Sequence, residues 1–444
     1  MPSDTSTGEA ALSPGWTRKS LAELCRILSG GTPPKSEARY WIGDVPWVSG
    51  KDMKSARLFD AIDHVSVDAI GAGTRMAPAG AVLLLVRGMG LAKDLPVAVA
   101  KRAMAFNQDI KALVPKVDGM GPFIRAAIYA NKAQLLARIV PSAHGTMTLN
   151  LDDIESFEVA APDDAAEAIA LGELLDQVHD LADSATQELL VAEHLKRAAM
   201  RALFTKGMRG EAQKDTEIGS VPESWEVRPL EAIANIYSSS RLGYGELLAR
   251  EELPSAPSSL HVLGIKVIDM TRCEAESVLD DAELKKFVPK AEAEQRCIAP
   301  GAIVFPKNGA AISTNKKRRV GSWCVLDPNV MALHAKEEVD QAFLFHWMLN
   351  FDLRSLVKPG PVPNFGKGDI SGISVQFPPT LDEQREIVAV LNAIDRKIDL
   401  QKRKRAVLDE LFKALLHKLM TGEIRVADLD LSALEPAKET EAAA

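Results

Sequence analysis

The chain has 444 residues, 46% of them hydrophobic and 26% charged, with a formal net charge of −8. That length exceeds one typical domain and calls for two or three. Four cysteines (Cys25, Cys273, Cys297, Cys324) lie far apart without a C-x-x-C pair, which argues against a disulfide framework and a thiolate zinc site. The longest apolar run, Ala81–Val86, is far short of the roughly 20 residues a bilayer span needs, and the first twenty residues hold no apolar signal core. A soluble, cytoplasmic protein with no membrane partner is expected.

Residues 1–15 read as a tail and residues 16–165 as a first globular domain. It opens on Ser13-Pro14-Gly15-Trp16 and Leu21-Ala22-Glu23-Leu24. It continues through the β-like run Ala81–Val86 and a helical pattern over Gly121–Ile139. It closes on Asp153-Ile154, a strand-like stretch and Pro162. Residues 166–207 then form a helical spacer in which Leu171, Leu175, Val178, Ala182, Ala185, Leu189 and Ala192 step by four and three. A polar linker is expected over 208–220.

The second domain, 221–380, repeats the first. Val221-Pro222-Glu223-Ser224-Trp225 precedes Leu230-Glu231-Ala232-Ile233, and Gly301-Ala302-Ile303-Val304 with Asn308-Gly309 answers Gly80-Ala81-Val82-Leu83 with Arg87-Gly88. Asp369-Ile370 answers Asp153-Ile154 and leads to Pro378-Pro379. A second spacer, 381–425, carries the seam Ile387, Leu391, Ile394, Ile398, Gln401, Arg405, Leu408, Phe412, Leu415 and Leu419, with two polar interruptions. Subtracting a constant 216 from its first four positions returns Leu171, Leu175, Val178 and Ala182. The endings agree too, Leu203-Phe204-Thr205-Lys206-Gly207 against Leu419-Met420-Thr421-Gly422. The order is globular, helix, globular, helix, followed by an acidic, alanine-rich tail (426–444) expected to be disordered. The fold class is mixed α/β (α+β): two globular domains separated by two long, antiparallel coiled-coil helices, with an internal pseudo-repeat. Helices of about 40 residues are roughly 60 Å long, a span that would hold the two globular ends over separate patches of one partner.

The segment Gly30-Gly31-Thr32-Pro33-Pro34, with Tyr40-Trp41, Gly43-Asp44-Val45-Pro46-Trp47-Val48 and Lys51-Asp52-Met53, resembles the opening of target-recognition domains in specificity subunits of type I restriction–modification systems. Pro378-Pro379 with Glu383-Gln384 and Ile387 is similar to that family's entry into a spacer helix, and Leu415–Gly422 to its exit. The resemblance runs from Trp16 to about Val426. It implies two target-recognition domains reading the halves of a split, asymmetric site in double-stranded DNA. The helices would serve as a ruler between half-sites and as a dock for two methyltransferase subunits. A motor-nuclease restriction subunit would complete the assembly, and the methyltransferases would bring S-adenosylmethionine, leaving this chain without a cofactor. Two departures stand out. Ile236-Tyr237-Ser238-Ser239-Ser240-Arg241 occupies the place of Leu28-Ser29-Gly30-Gly31-Thr32-Pro33, and Glu167-Ala168 replaces Glu383-Gln384 in the first helix, leaving that helix's methyltransferase contact open.

Catalytic motifs are missing. A base-flipping amino-methyltransferase needs an Asp/Asn/Ser-Pro-Pro-aromatic element, and neither Pro33-Pro34 nor Pro378-Pro379 has those flanks. There is no P-loop, H-E-x-x-H or G-x-S-x-G, and Gly88-Met89-Gly90 reads as a tight turn. His179, His194 and His417 fall on the helices and read as surface or seam residues. Asp52-Met53-Lys54 and Glu283-Leu284-Lys285 resemble only the tail of a Mg²⁺-nuclease motif. A non-catalytic subunit is therefore expected, with no catalytic residue and no metal site. Net negative charge weakens a nucleic-acid reading only globally, since phosphate contacts need a local basic face. Candidate DNA contacts are Lys35, Arg39, Lys51, Lys54, Arg75, Arg87 and Lys93 in the first domain. In the second they are Arg241, Lys266, Lys307, Asn308, Lys316, Lys317, Arg318 and Arg319, with Lys316–Arg319 the densest cluster. Lys402-Arg403-Lys404-Arg405 is either a solvated helical turn or a further DNA patch. Candidate helix-packing residues are Leu171, Leu175, Val178, Leu189, Ile387, Leu391, Ile394, Ile398, Leu408 and Phe412. The rival reading is a helical adaptor that assembles protein partners; only a DNA reader predicts salt-dependent affinity for duplex.

Overall fold

A computed structural model describes residues 12–141, 146–252, 255–272, 278–358 and 360–431. Two compact units divide the chain, Met1–Gln187 with Gln401–Ala444, and Glu188–Leu400. Each boundary falls inside a long helix. The first long helix runs Ala165–Lys206 and the second Leu381–Met420.

The first unit is built on a five-stranded sheet in the order Cys25–Ser29, Ile110–Pro115, Val82–Leu85, Val97–Ala100, Arg57–Leu58. Its first three pairings are antiparallel and its last parallel. The central strand Val82–Leu85 is buried along its whole length, as expected of an apolar run flanked by strands and covered on both faces. The second unit repeats this sheet as Ala234–Tyr237, Val330–Ala335, Ile303–Pro306, Arg318–Val320, Val278–Leu279, with the same sequence of pairing senses. The smaller sheets correspond as well. Asp63–Val65, Val45–Val48 and Met104–Phe106 pair antiparallel then parallel, as do Leu284–Pro289, Ser259–Ile265 and Trp323–Leu326. Arg75–Ala77 is an addition of the first unit. The strand pair that closes each domain, Trp16–Ser20 with Glu158–Pro162 and Glu226–Pro229 with Ser374–Phe377, is antiparallel in both. The duplication read from the sequence is thus a duplication of topology.

The helices supply each unit's remaining wall. In the first unit Leu171, Leu175 and Val178 share a core with Phe412, Leu415 and Leu419. In the second, Leu189 and Ala192 pack with Ile398 and half-buried Ile394, while Met200 and Phe204 share a core with Ile387 and Leu391. Rising numbers on one helix meet falling numbers on the other, so within this unit the segments run antiparallel. Lys196 and Asp395, 2.7 Å apart, join them there. Both helices end before a glycine with left-handed backbone, Gly207 (φ 63°) and Gly422 (φ 70°), which caps the last turn without a Cβ clash.

Three expectations are revised. The seam is weak at its middle: Gln401 is buried, Arg405 is exposed and Leu408 is only half-buried, outside the buried cores. The basic turn Lys402–Arg405 has three exposed residues, and keeping their charges in water holds that stretch out of the apolar layer. The expected linker, 208–220, carries most of a hairpin, Gln213–Thr216 paired with Gly219–Pro222. Val426, Leu429 and Leu431 pack against the first core, so order continues into the expected tail; residues 432–444 lie outside the described residues, as does Cys273.

One buried charge ties the first domain to its helix. Asp176, with its side chain 6% exposed, faces Arg57 at 3.0 Å, Lys101 at 3.3 Å and Arg125 at 3.5 Å. Arg57 reaches on to Asp180 one turn later. Replacing Asp176 with alanine leaves three cations, one of them buried, around an apolar gap. Chemical unfolding should show a loss of about 3–5 kcal/mol; a loss below about 1 kcal/mol would mean that solvent already screens the cluster.

Candidate nucleic-acid interface

In the first unit Lys35, Lys54, Arg75, Arg87 and Lys93 are exposed. Arg39 is exposed as well, 3.4 Å from Glu37 and over the Tyr40 ring at 4.9 Å. Lys51 is exposed but donates to Asp63 at 2.7 Å, a bond that raises its pKa and neutralises part of its charge locally. Arg39 sits on the short helical turn Ala38–Trp41, Arg75 and Arg87 begin short strands, and Lys35, Lys51, Lys54 and Lys93 lie on turns. The Gly30-Gly31 pair beside them is structural. A Cβ on Gly30 would stand 2.1 Å from the Asn107 carbonyl oxygen, and one on Gly31 2.2 Å from that of Gly73. The Gly31 carbonyl accepts from Trp47 Nε1 at 3.1 Å, and Trp47 packs edge-on to Trp41. The motif that carried the resemblance therefore packs backbone against backbone.

The second unit rearranges its candidates. Arg241 is exposed and donates to the Gln295 carbonyl at 3.5 Å. Lys266 lies over the Tyr244 ring, and Lys307 donates to the Ser238 carbonyl at 3.0 Å. Asn308 is half-buried, its Nδ2 donating to Asn329 Oδ1 at 3.1 Å. The basic run at 316–319 is not a surface cluster. Lys317 is 0% and Arg318 2% exposed. Lys317 Nζ donates to Asn315 Oδ1 at 2.8 Å and to the carbonyl of Phe351, the residue that ends helix Gln341–Asn350. A lysine at a helix C-terminus satisfies carbonyls that have no partner within the helix. Arg318 donates to the Lys317 carbonyl, and Arg319 stacks over Phe345 at 5.0 Å. Only Lys316 and Arg319, both half-buried, keep access to solvent. Four consecutive basic residues look solvated in a sequence; here they enter an inner strand, Arg318–Val320.

Glu383-Gln384 is likewise internal. Gln384 is 0% exposed, donates to the Glu338 and Pro378 carbonyls and accepts from the Asp340 N–H at 2.7 Å. Glu383 accepts from Trp225 Nε1 at 3.3 Å. The pair fastens the second helix to its own domain and offers no surface to a partner. Asp52 is a turn residue, accepting from Ser49 and from the Ile62 N–H, and Lys285 pairs with Asp281. His194 and His417 are exposed, and His179 lies against Phe412 with ring centroids 5.3 Å apart. Among the described residues no group of three or more His, Cys, Asp or Glu is placed to hold a metal ion, and no helix is long and apolar enough to cross a membrane.

Residues 298–410 match the family described as type I restriction modification DNA specificity domain. The chain is similar to the specificity subunit of type I restriction enzyme MjaIX from Methanocaldococcus jannaschii, 22% identical over 430 residues that cover 93% of this chain and 94% of that protein. It is 28% identical over 173 residues to the specificity subunit of EcoR124I/EcoR124II from Escherichia coli, a match covering 38% of this chain and 43% of that one, less than half its length. In fold it resembles the S subunit of a type I restriction–modification system from M. genitalium, with a TM-score of 0.58 at 13% identity over 93% of this chain and 97% of that one.

Burial pushes the Lys317 ammonium down to about 8, against the pull of Asp352. Since the unfolded chain titrates this group near 10.5, it binds more protons than the folded one between the two values. Stability should therefore rise as pH climbs from about 8 to about 10, by at most about 3 kcal/mol from this group. Denaturant titrations of the native chain and Lys317→Met should diverge over that window, with the variant flatter; parallel curves would contradict the assignment.

Proposed function

We propose that this chain, which belongs with the type I restriction–modification specificity subunits, is the DNA-recognising subunit of such a complex and performs no catalysis itself. One observation carries the reading: the same scaffold occurs twice with different polar side chains on it, as two readers of unlike half-sites require. In this reading each domain takes one half of a split, asymmetric sequence in double-stranded DNA. The helices carry two methyltransferase subunits, which bring S-adenosylmethionine, and a motor-nuclease subunit joins them in the cytoplasm. Exposed Lys35, Lys54, Arg75 and Lys93 supply phosphate contacts, as do Lys316 and Arg319 where they reach the surface. Lys317 and Arg318 drop out of that role because they are buried.

Methylome sequencing of a host carrying the gene and its neighbouring methyltransferase, beside the gene-deleted host, tests the function. A split, asymmetric methylated site should vanish with the gene; an unchanged methylome under confirmed expression would count against it. Affinity for duplex should fall linearly with the logarithm of salt concentration. Lys54→Ala combined with Lys93→Ala should make that slope shallower by about 2, at roughly 0.9 per phosphate contact. An unaltered slope would remove both residues from the interface.

A further inference from the structure

Superimposing the two sheets strand by strand puts residues that differ in chemistry at one place. Strand Val82–Leu85 corresponds to Ile303–Pro306, since Leu83 pairs with Ala112 as Val304 pairs with Ala332. The next residues keep step. The Val86 N–H donates to the Asp109 carbonyl at 2.8 Å, and the Lys307 N–H to that of Asn329 at 2.9 Å. Arg87 then pairs across to Thr148, while Asn308 bridges to Asn364. Gly88 pairs with Met147, and the Gly309 N–H donates to the Pro363 carbonyl. Arg87 and Asn308 are thus the same position of the repeat, each at the open end of the central strand and each held by a short cross-strand bridge.

The neighbourhood is also shared. Lys111 Nζ donates to Ser29 Oγ at 2.7 Å, and Lys307 Nζ to the Ser238 carbonyl at 3.0 Å. Ser29 and Ser238 are equivalent, because Leu28 pairs with Ala112 as Tyr237 pairs with Ala332. This shifts the correspondence expected from sequence by one residue. Each domain therefore sets a lysine ammonium on the same serine beside the bridge, although different strands carry the lysine. Burial, and then the nearby charge of Arg87, hold Lys111 below the ordinary lysine range, and burial does the same to Lys307. Arg87 and Asn364 are exposed, Thr148 and Asn308 half-buried.

Arginine forks onto guanine O6 and N7, and asparagine onto adenine N6 and N7. Resting on the function proposed above, we infer that this bridged strand end is the base-reading element of both domains. Arg87 reads a guanine in one half-site, and Asn308 with Asn364 reads an adenine in the other. The Asn308 amide donates one N–H to Asn329 Oδ1, and adenine takes its second N–H and its carbonyl oxygen. The adjacent lysine faces the backbone phosphate of the base being read.

The test is selection of duplexes from a randomised pool by the full chain, native and variant. Arg87→Lys keeps the charge and removes the fork, so preference for one guanine in one half-site should fall about tenfold, with the other half-site unchanged. Asn308→Ala should relax one adenine in the opposite half-site and leave the first intact. The untouched half-site reports that each variant is folded. Selection of the native sequence by both variants overturns the inference while leaving the proposed function standing. Uniformly weaker binding with unaltered preference does the same, as does loss of all binding by a variant that melts like the native chain. Failure of the native chain to enrich any split sequence would instead overturn the function on which the inference rests.

Discussion

Asp176 carries more of the architecture than its place in an acidic stretch suggests. A carboxylate on the first long helix, nearly closed to water, is surrounded by Arg57, Lys101 and Arg125 from three separate segments of the globular domain. Apolar packing between a helix and a sheet tolerates sliding by a turn; a buried charge with three partners does not, because every slipped register leaves desolvated ions unpaired. The second unit reaches the same end mainly through hydrogen bonds, with Glu383 also 3.8 Å from Arg209. Gln384 takes up one backbone N–H and two carbonyls, and Glu383 accepts from the indole of Trp225. Whatever a domain recognises, its register on its own helix is set by polar contacts out of solvent.

Duplication with divergence explains why the two domains look alike in topology and unlike in detail. Strand order and pairing sense persist because the inward faces of both sheets are filled with interchangeable aliphatic residues. At the open strand ends packing imposes little, and there one domain has arginine where the other has asparagine. The lysine at Ser29 and Ser238 is the informative exception. Its position in space is kept although its position in the chain is not, which points to a constraint on charge.

Much of this was legible before any coordinates. The glycine-led runs at Gly80 and Gly301 mark the central strands, and the offset of 216 between Ile387–Ile398 and Leu171–Ala182 marks helices that serve equivalent domains. What escaped is chemistry that depends on long-range burial. Lys316–Arg319 looks like a phosphate clamp by composition, yet Lys317 closes the end of a helix that follows it by more than twenty residues. Glu383-Gln384 and Gly30-Gly31 carry the resemblance, to the entry of a spacer helix and to the opening of a target-recognition domain. Both prove to be scaffold: the first by its hydrogen bonds, the second by backbone approach too close for a Cβ. Asp176 gave no signal at all, since acid-rich helices are usually solvated.

The boundaries of the two units carry a consequence for synthesis. The first unit needs Phe412, Leu415 and Leu419, which lie some two hundred residues beyond the rest of its core. Every residue of the second unit is synthesised before those side chains are. The amino-terminal domain cannot complete its core until the sequence of its neighbour has been made. Nascent chains usually settle their first domain first; here the order of birth and the order of completion are reversed.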